Sequence, residues 1–540
     1  MKKIQYKSIA VVLVSWLMVG CTSDWLEVPV NSQLTIENFY KTQADAEMAV
    51  TAAYSVLKLS AFNGETAENG TLHGINGYFG VGEICSDNAE KGGENRNNGI
   101  ELAELSEFIP KTENGICFQI WRDAYLGIYR CNVALEKIPT INFSINDPAG
   151  YDLKERYIAE VKFIRAYLYF FITQVYGDVP LVIAPLTPSD YTMGRTPKAL
   201  VYQQIEKDLM EAIPALPKKS EYSVEQMGRV TKGAAQALLA KTYLFQEKWS
   251  DARKMAKAVM EDGSYNLNTP YSKIFTIAGE NCPESVFEIQ YREAGDGSWH
   301  SMNDGNTLAI YTGSRDPRWP LKDGGWGFML PTQNLVDEFE ADDPRLDLTV
   351  VFNGEDDPWG LGVKLYTDWA DDPAAANKTN PTGYICQKYL CAPDRLPNNW
   401  SDAPNNVALI RFSDVVLFYA EASYYLGDEN EARRAVNMVR ERARKEAKDP
   451  TTALPDVTAS GTSLLNAIWH ERRVELALEG HRFFDLVRQK RAAEVINAYY
   501  ATNPVLTLNN PFTKGVNEVF PIPQSQIDIS NGNLTQNPGY

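Results

Sequence analysis

Two stretches of this chain repeat one plan, and the plan leaves few folds open. Residues 231–246 read as a helix rich in small side chains (Gly233, Ala234, Ala235, Ala237, Ala240). Glu247-Lys248-Trp249-Ser250 turns the chain, and 251–260 follows as a second helix carrying Ala252, Ala256 and Ala258. Residues 412–426 and 429–445 repeat the arrangement, with Gly427-Asp428 at the turn. Small residues on facing sides let two helix axes approach closely, so each stretch packs as a helical hairpin. A third signal is stronger still. Tyr157, Val161, Ile164, Leu168, Phe171 and Val175 recur at steps of four and three, the spacing of one buried helical stripe. Phe163, Tyr167 and Phe170 widen that stripe, so this helix is covered on more than one side. Tyr176-Gly177-Asp178-Val179-Pro180 ends it.

The hairpins resemble tetratricopeptide units. Helices are also predicted at about 43–58, 121–137, 464–479 and 482–497. The fold class is therefore mainly α, with about four tetratricopeptide-like helix pairs over 41–262 and 406–540. A long irregular insertion, about 263–405, separates the two parts, with short β pieces expected at 285–291 and 347–352. Residues 60–100, rich in Gly and Asn, read as loops.

The first twenty residues read as an address. Lys2, Lys3 and Lys7 precede a short apolar core that is too short for a membrane span, and the stretch ends Leu17-Met18-Val19-Gly20-Cys21. That ending resembles a bacterial lipobox, which implies a signal peptide over 1–20, lipidation of Cys21 and a tether over 21–40. Several acyl chains, at about 0.8 kcal/mol per buried methylene, anchor a protein stably where one does not. The chain has 52 Lys+Arg against 70 Asp+Glu, a net charge of −18. Such an acidic chain makes a poor binder of phosphate backbones, so nucleic acid is not an expected partner. Six cysteines follow Cys21, and buried free thiols are the reading for most of them. Cys386-x4-Cys391 has neither a second pair nor a nearby His, so no metal site is expected there. Asp356-Asp357 and Asp371-Asp372 suggest calcium but lack a loop of defined ligand spacing, so no cofactor is expected.

Several strings point one way: Arg165-Ala-Tyr-Leu-Tyr-Phe with Tyr176-Gly-Asp-Val-Pro-Leu-Val182; Arg229 through Ala252; Ile410 through Ala422; Ala435 through Ala443; Glu471 through Arg488; Phe520-Pro-Ile-Pro523; and the closing Thr535-Gln-Asn-Pro-Gly-Tyr540. Together they resemble the SusD/RagB family of outer-membrane nutrient-uptake lipoproteins of Bacteroidetes. The resemblance implies a single SusD-like domain over 41–540 that is anchored in the outer membrane and faces the cell exterior. It implies a non-catalytic protein that captures oligo- or polysaccharide, less often peptide, and forms a lid over a SusC-like TonB-dependent transporter.

Two other readings compete. Glu471, Glu475 and Glu479 stand at steps of four near Arg472, Arg482, Asp485 and Arg488. Such a row suits either the paired carboxylates of a surface glycoside hydrolase or an ionic network that locks helices, and the network is favoured. A helical-repeat adaptor that binds only protein is the third reading.

Sugars present apolar C–H faces to flat rings and hydroxyls to amides and carboxylates. Trp299, Trp319, Trp326, Trp359, Trp369 and Trp400 crowd the insertion, off any helix stripe and beside Gly and Asp. The candidate ligand-binding residues are Trp299, Trp319, Trp326 and Trp359, with Tyr78, Asp87 and Asn88 from a second loop; no catalytic residue is assigned. Trp326 sits in a Gly-Trp-Gly string with an equal structural claim. Between Trp299 and Trp400 there are sixteen Asp+Glu and eight Lys+Arg. A neutral glycan is thus favoured over a polyanionic one, unless a local arginine cluster intervenes.

Overall fold

The computed structural model describes residues 39–61, 79–144, 150–293, 305–316, 324–356, 364–367, 380–391, 403–502 and 511–540. The leader, Cys21, most of the tether, Tyr78, Trp299, Trp319, Trp359, Trp369 and Trp400 lie outside the described residues.

The fold is mainly helical. In chain order the principal helices are α1 (Gln43–Ala61), α2 (Ile100–Ser106), α3 (Gly115–Lys137), α4 (Leu153–Tyr176), α5 (Lys198–Ala212), α6 (Lys232–Leu244), α7 (Trp249–Met260), α8 (Phe412–Tyr425), α9 (Glu429–Arg444), α10 (Gly461–Glu475), α11 (Arg482–Arg488) and α12 (Ala492–Thr502). Four pairs stack side by side: α1 with α3, α4 with α5, α6 with α7, and α8 with α9. Helix α4 is the buried centre that the stripe predicts. Asp152 caps its start by accepting from the Lys154 and Glu155 amides, and Gly177 ends it. Arg165 of α4 clamps Asp208 of α5 through two hydrogen bonds of 2.8 and 2.7 Å. Helix α5 is absent from the sequence reading.

The turns of the two alanine-rich pairs share one geometry. After α6 the Lys248 amide donates to the Tyr243 carbonyl and the Glu247 amide to that of Leu244; after α8 Asp428 and Gly427 donate to Ser423 and Tyr424 in the same way. Both are Schellman caps, with Glu247 (φ 58°) and Gly427 (φ 79°) in the left-handed position. Glycine adopts that conformation freely and glutamate does not.

Two sequence boundaries are corrected. Helix α10 stops at Glu475, short of Glu479, because Leu478 and Gly480 are left-handed. The helix expected over 482–497 is two helices. Another Schellman cap splits it, with Lys490 left-handed, the Arg491 amide on the Leu486 carbonyl and the Lys490 amide on that of Val487.

The strands are β1 (Ala89–Gly92), β2 (Ser285–Ile289), β3 (Phe328–Pro331), β4 (Val350–Val351), β5 (Glu355–Asp356), β6 (Lys364–Leu365), β7 (Ile385–Cys386) and β8 (Val407–Arg411). They pair antiparallel as β1–β3, β2–β8, β4–β7 and β5–β6. Strands β2 and β8 stand at the two ends of the insertion, which therefore leaves and rejoins the scaffold at one place. One continuous apolar core runs from Ala46 to Leu534, and Leu330, Val351, Leu365, Ile385 and Leu390 form a small separate cluster in the insertion. Cys85, Cys117, Cys131, Cys386 and Cys391 are buried free thiols, and Cys282 is free and partly exposed. Among the described residues no helix is long and apolar enough to cross a membrane.

Replacing Glu247 by glycine should relieve the left-handed strain at the α6–α7 turn. Its ion pair with Lys490 is mostly exposed and worth little. The expected gain is about 1 kcal/mol, read as a higher urea midpoint at unchanged slope.

Candidate functional site

The carboxylate row resolves into a buried lattice. Arg345 Nη1 lies 2.6 Å from Glu471 and 3.1 Å from Glu475; Arg411 reaches Glu475 at 2.8 Å, Glu479 at 2.7 Å and Glu284 at 2.9 Å; Lys388 holds Glu479 at 2.7 Å. Arg442 adds a further contact to Glu475. Glu475 and Arg345 have no exposed surface at all. Burial alone pushes the Glu475 carboxyl up, yet Arg442, Arg411 and Arg345 hold it far below the ordinary range. Glu479, raised by burial, is likewise brought low by Arg411 and Lys388. Carboxylates locked in this way, away from water, join helices α9 and α10 to strands and loops of the insertion. Although α10 ends before Glu479, the turn brings that residue back onto Arg411 and Lys388.

A second network fixes the 80–92 segment. Arg482 donates to Asp87 from Nε at 2.7 Å and from Nη2 at 2.9 Å, and Arg473 adds a contact at 3.0 Å. The Asn88 side-chain oxygen accepts from Arg473 at 2.9 Å, and its amide donates to Glu83 at 3.1 Å. Glu83 in turn accepts from the Gly480 and His481 amides. Asp87 is 2% and Asn88 1% exposed. Their assignment to ligand hydroxyls is therefore corrected, because their hydrogen-bonding capacity is spent inside the protein. Burial works to raise the Asp87 carboxyl, but Arg482 and Arg473 hold it well below the carboxylate range. Nearby, burial pushes Glu90 up to about 7 against the lowering hydrogen bond from Tyr499.

Of the expected tryptophans, Trp326 is the one among the described residues. Backbone bonds fix its loop: the Trp326 amide donates to the Ile310 carbonyl at 2.7 Å, Gly327 to Gly313 at 2.8 Å and Gly93 to Gly327 at 2.6 Å. A Cβ on Gly325 would lie 2.0 Å from the Gly313 backbone, so only glycine fits there. The half-buried indole meets Tyr311 edge to face, ring centres 4.8 Å apart. Arg315 donates to the Trp326 carbonyl at 3.2 Å and faces Glu94 at 3.7 Å. Lys91 of β1 lies over the Phe328 ring of β3 at 5.4 Å. Tyr311 and Phe328 are buried, so this is a shelf that bears one partly exposed ring, Trp326, edged by the partly exposed Arg315 and Glu94 and set beside the β1–β3 pair. The sequence reading found Trp326 but missed Tyr311, Arg315, Glu94 and Lys91. The β1–β3 pairing brings residues 89–92 beside residues 328–331, and the backbone bonds of Trp326 and Gly327 bring 310–313 to the same place.

Helix pairs that staple a loop-built, ring-bearing insertion define a helical-repeat scaffold with a display face. The SusD family profile matches residues 283–540, and a second profile, described as starch-binding associating with outer membrane, matches 29–244. The chain belongs to the SusD-like family. It is 26% identical over 552 residues to SusD-like protein P2 of Formosa agariphila, with 100% of both chains covered. Among solved structures it is similar to a laminarin binding SusD-like protein (28% identity, TM-score 0.74, 93% of this chain and 100% of that one). A SusD-like carbohydrate binding protein from Bacteroides fragilis is also similar (26% identity, TM-score 0.75, 91% of this chain and 99% of that one).

Two stability predictions follow from these networks. Glu475→Gln leaves Arg345, Arg411 and Arg442 short of a charge, so unfolding should cost about 3–5 kcal/mol less in guanidinium titration. Glu90 keeps its proton in the folded state up to about 7, whereas an unfolded glutamate loses it near ~4.3. The native state then holds the extra proton between those values, and stability falls as pH rises through that window. Glu90→Gln removes that contribution. The variant should match the parent at pH 4 and exceed it in melting temperature at pH 8.

Proposed function

We propose that this protein is a cell-surface glycan-binding lipoprotein that captures an oligo- or polysaccharide without cutting it. In this reading it hands the glycan to a SusC-like TonB-dependent transporter in the outer membrane. The observation that carries the reading is the shelf at Trp326: a half-buried indole edge-on to Tyr311, held by a backbone-bonded glycine loop and flanked by Arg315 and Glu94. A pre-set, partly exposed indole beside polar groups suits the C–H faces and hydroxyls of a sugar. The solved relatives named for laminarin and carbohydrate binding support the same cargo class.

The excess of acids between Trp299 and Trp400 favours a neutral glycan at this face. A neutral glucan of the laminarin type is the first to test. The lipid on Cys21, the outward orientation and the transporter partner belong to the same proposal. The lattice around Glu475 removes that carboxylate row as a hydrolytic pair, since a general acid must reach its substrate.

Calorimetry with laminari-oligosaccharides checks the reading. The parent should bind, and Trp326→Ala should weaken binding by about 1–3 kcal/mol if stacking on a sugar compares with stacking on a base. Incubation should leave the oligosaccharide profile unchanged. Release of new reducing ends, or binding indifferent to Trp326→Ala, would defeat the proposal.

A further inference from the structure

A second cavity, of about 600 Å³, opens beside α10 and α12 and shares no residue with the Trp326 shelf. Its size falls within the roughly 300–1,000 Å³ of small-molecule sites. Its wall holds four cationic side chains, Arg473, Arg482, Arg491 and His470, against three acids, Asp87, Glu338 and Glu494. Three of the cations are engaged. Arg482 and Arg473 close on Asp87, and Arg473 also reaches Glu338 at 2.7 Å. His470 sits 2.9 Å from Glu338 and 3.5 Å from Glu340. Burial works against its proton, but those two carboxylates raise its pKa to about 9.

Arg491 differs. Among the described residues no carboxylate lies in ion-pair range of its guanidinium, which instead rests over the Trp469 ring, 4.9 Å from the centroid. Burial and the nearby Arg482 pull its pKa below the usual arginine value, as expected for a cation short of an anion. The support beneath it is rigid. Trp469 Nε1 donates to Glu421 at 3.2 Å, and Arg488 holds Glu421 through two bonds of 2.8 Å. The Schellman cap at Lys490 sets where Arg491 leaves the backbone. The same wall carries Val495, Ala498, Asn466 and Asn334; the Asn334 side-chain oxygen accepts from Arg473 at 2.7 Å, which leaves its NH₂ as a donor.

We infer that this cavity is a second ligand site, which takes the carboxylate of an acidic sugar, a uronic acid, on Arg491. The apolar patch faces the ring C–H groups, and the two amides take hydroxyls. The inference does not rest on the glycan reading of the Trp326 shelf.

Calorimetry on the purified protein tests it with D-glucuronate, D-galacturonate, their short oligomers, D-glucose and inorganic sulfate as probes. At least one uronate probe should bind saturably, more weakly as salt rises, while glucose does not bind. Arg491→Ala should weaken that binding at least tenfold, and Arg491→Lys should keep part of it. An unpaired, partly exposed side chain can be removed without unfolding the chain, so both variants should keep the parent melting temperature and laminari-oligosaccharide binding. Failure of every uronate probe at millimolar concentration, or indifference to Arg491→Ala, would overturn the inference. Sulfate binding as tightly as the uronates would also overturn the sugar assignment. Because the neutral oligosaccharide is read in the same samples, the two sites can fail separately.

Discussion

The structure depends on the exchange of charge between buried arginines and buried glutamates. Arg345 and Lys388 come from the insertion, Glu284 and Arg411 from its two ends, and Glu471, Glu475 and Glu479 from α10 and the turn that follows. Each group would be very costly to bury alone, and each is tolerable only while its partners are present. The lattice therefore acts as a condition on folding: scaffold and insertion are not independently satisfiable. Hydrophobic contacts hold the helix pairs together, but they do not specify where an irregular segment must sit. The ion lattice does, since directional bonds fail when the geometry is wrong.

From that anchoring the display face takes its shape. The Asp87 network ties the 80–92 segment to α10 and α11, and the same segment supplies β1 to the β1–β3 pair. Trp326 enters on the loop just before β3. A ring on a loop is ordinarily loosely placed. Here the loop is bonded to residues 310–313 on one side and to Gly93 on the other. Preorganisation of this kind lowers the ordering cost that weakens most loop-borne sites.

Periodicity made the helices legible. The α4 stripe and the two alanine-rich pairs stand where the spacing places them, because buried faces impose 3.6-residue repeats that the order of apolar residues reveals. The β pieces at Ser285 and Val350 were legible from apolar runs. Helix α5 escaped because its apolar positions Val201, Tyr202, Ile205, Leu209 and Ala212 lie among many charges, and only packing on α4 makes the stripe plain. The α11–α12 break escaped because a lysine, not a glycine, takes the left-handed position. At the candidate site the sequence marked Trp326 from its glycine neighbours. Asp87 and Asn88 were misread because partners nearly four hundred positions away decide whether a polar loop residue faces water or an arginine. Trp469 and Arg491 were invisible for a related reason: one lies in a helix pattern, the other just past a cap.

The β2–β8 pair has a consequence for how such a chain diversifies. Because both ends of the insertion meet in one antiparallel clasp, everything between them hangs from a closed neck. Lengthening a loop whose ends are already joined costs only a logarithmic increment of entropy. Segments between the fixed points at Arg345 and Lys388 can therefore be exchanged or extended while the helices keep their registry. New specificities can then be written onto an unaltered frame.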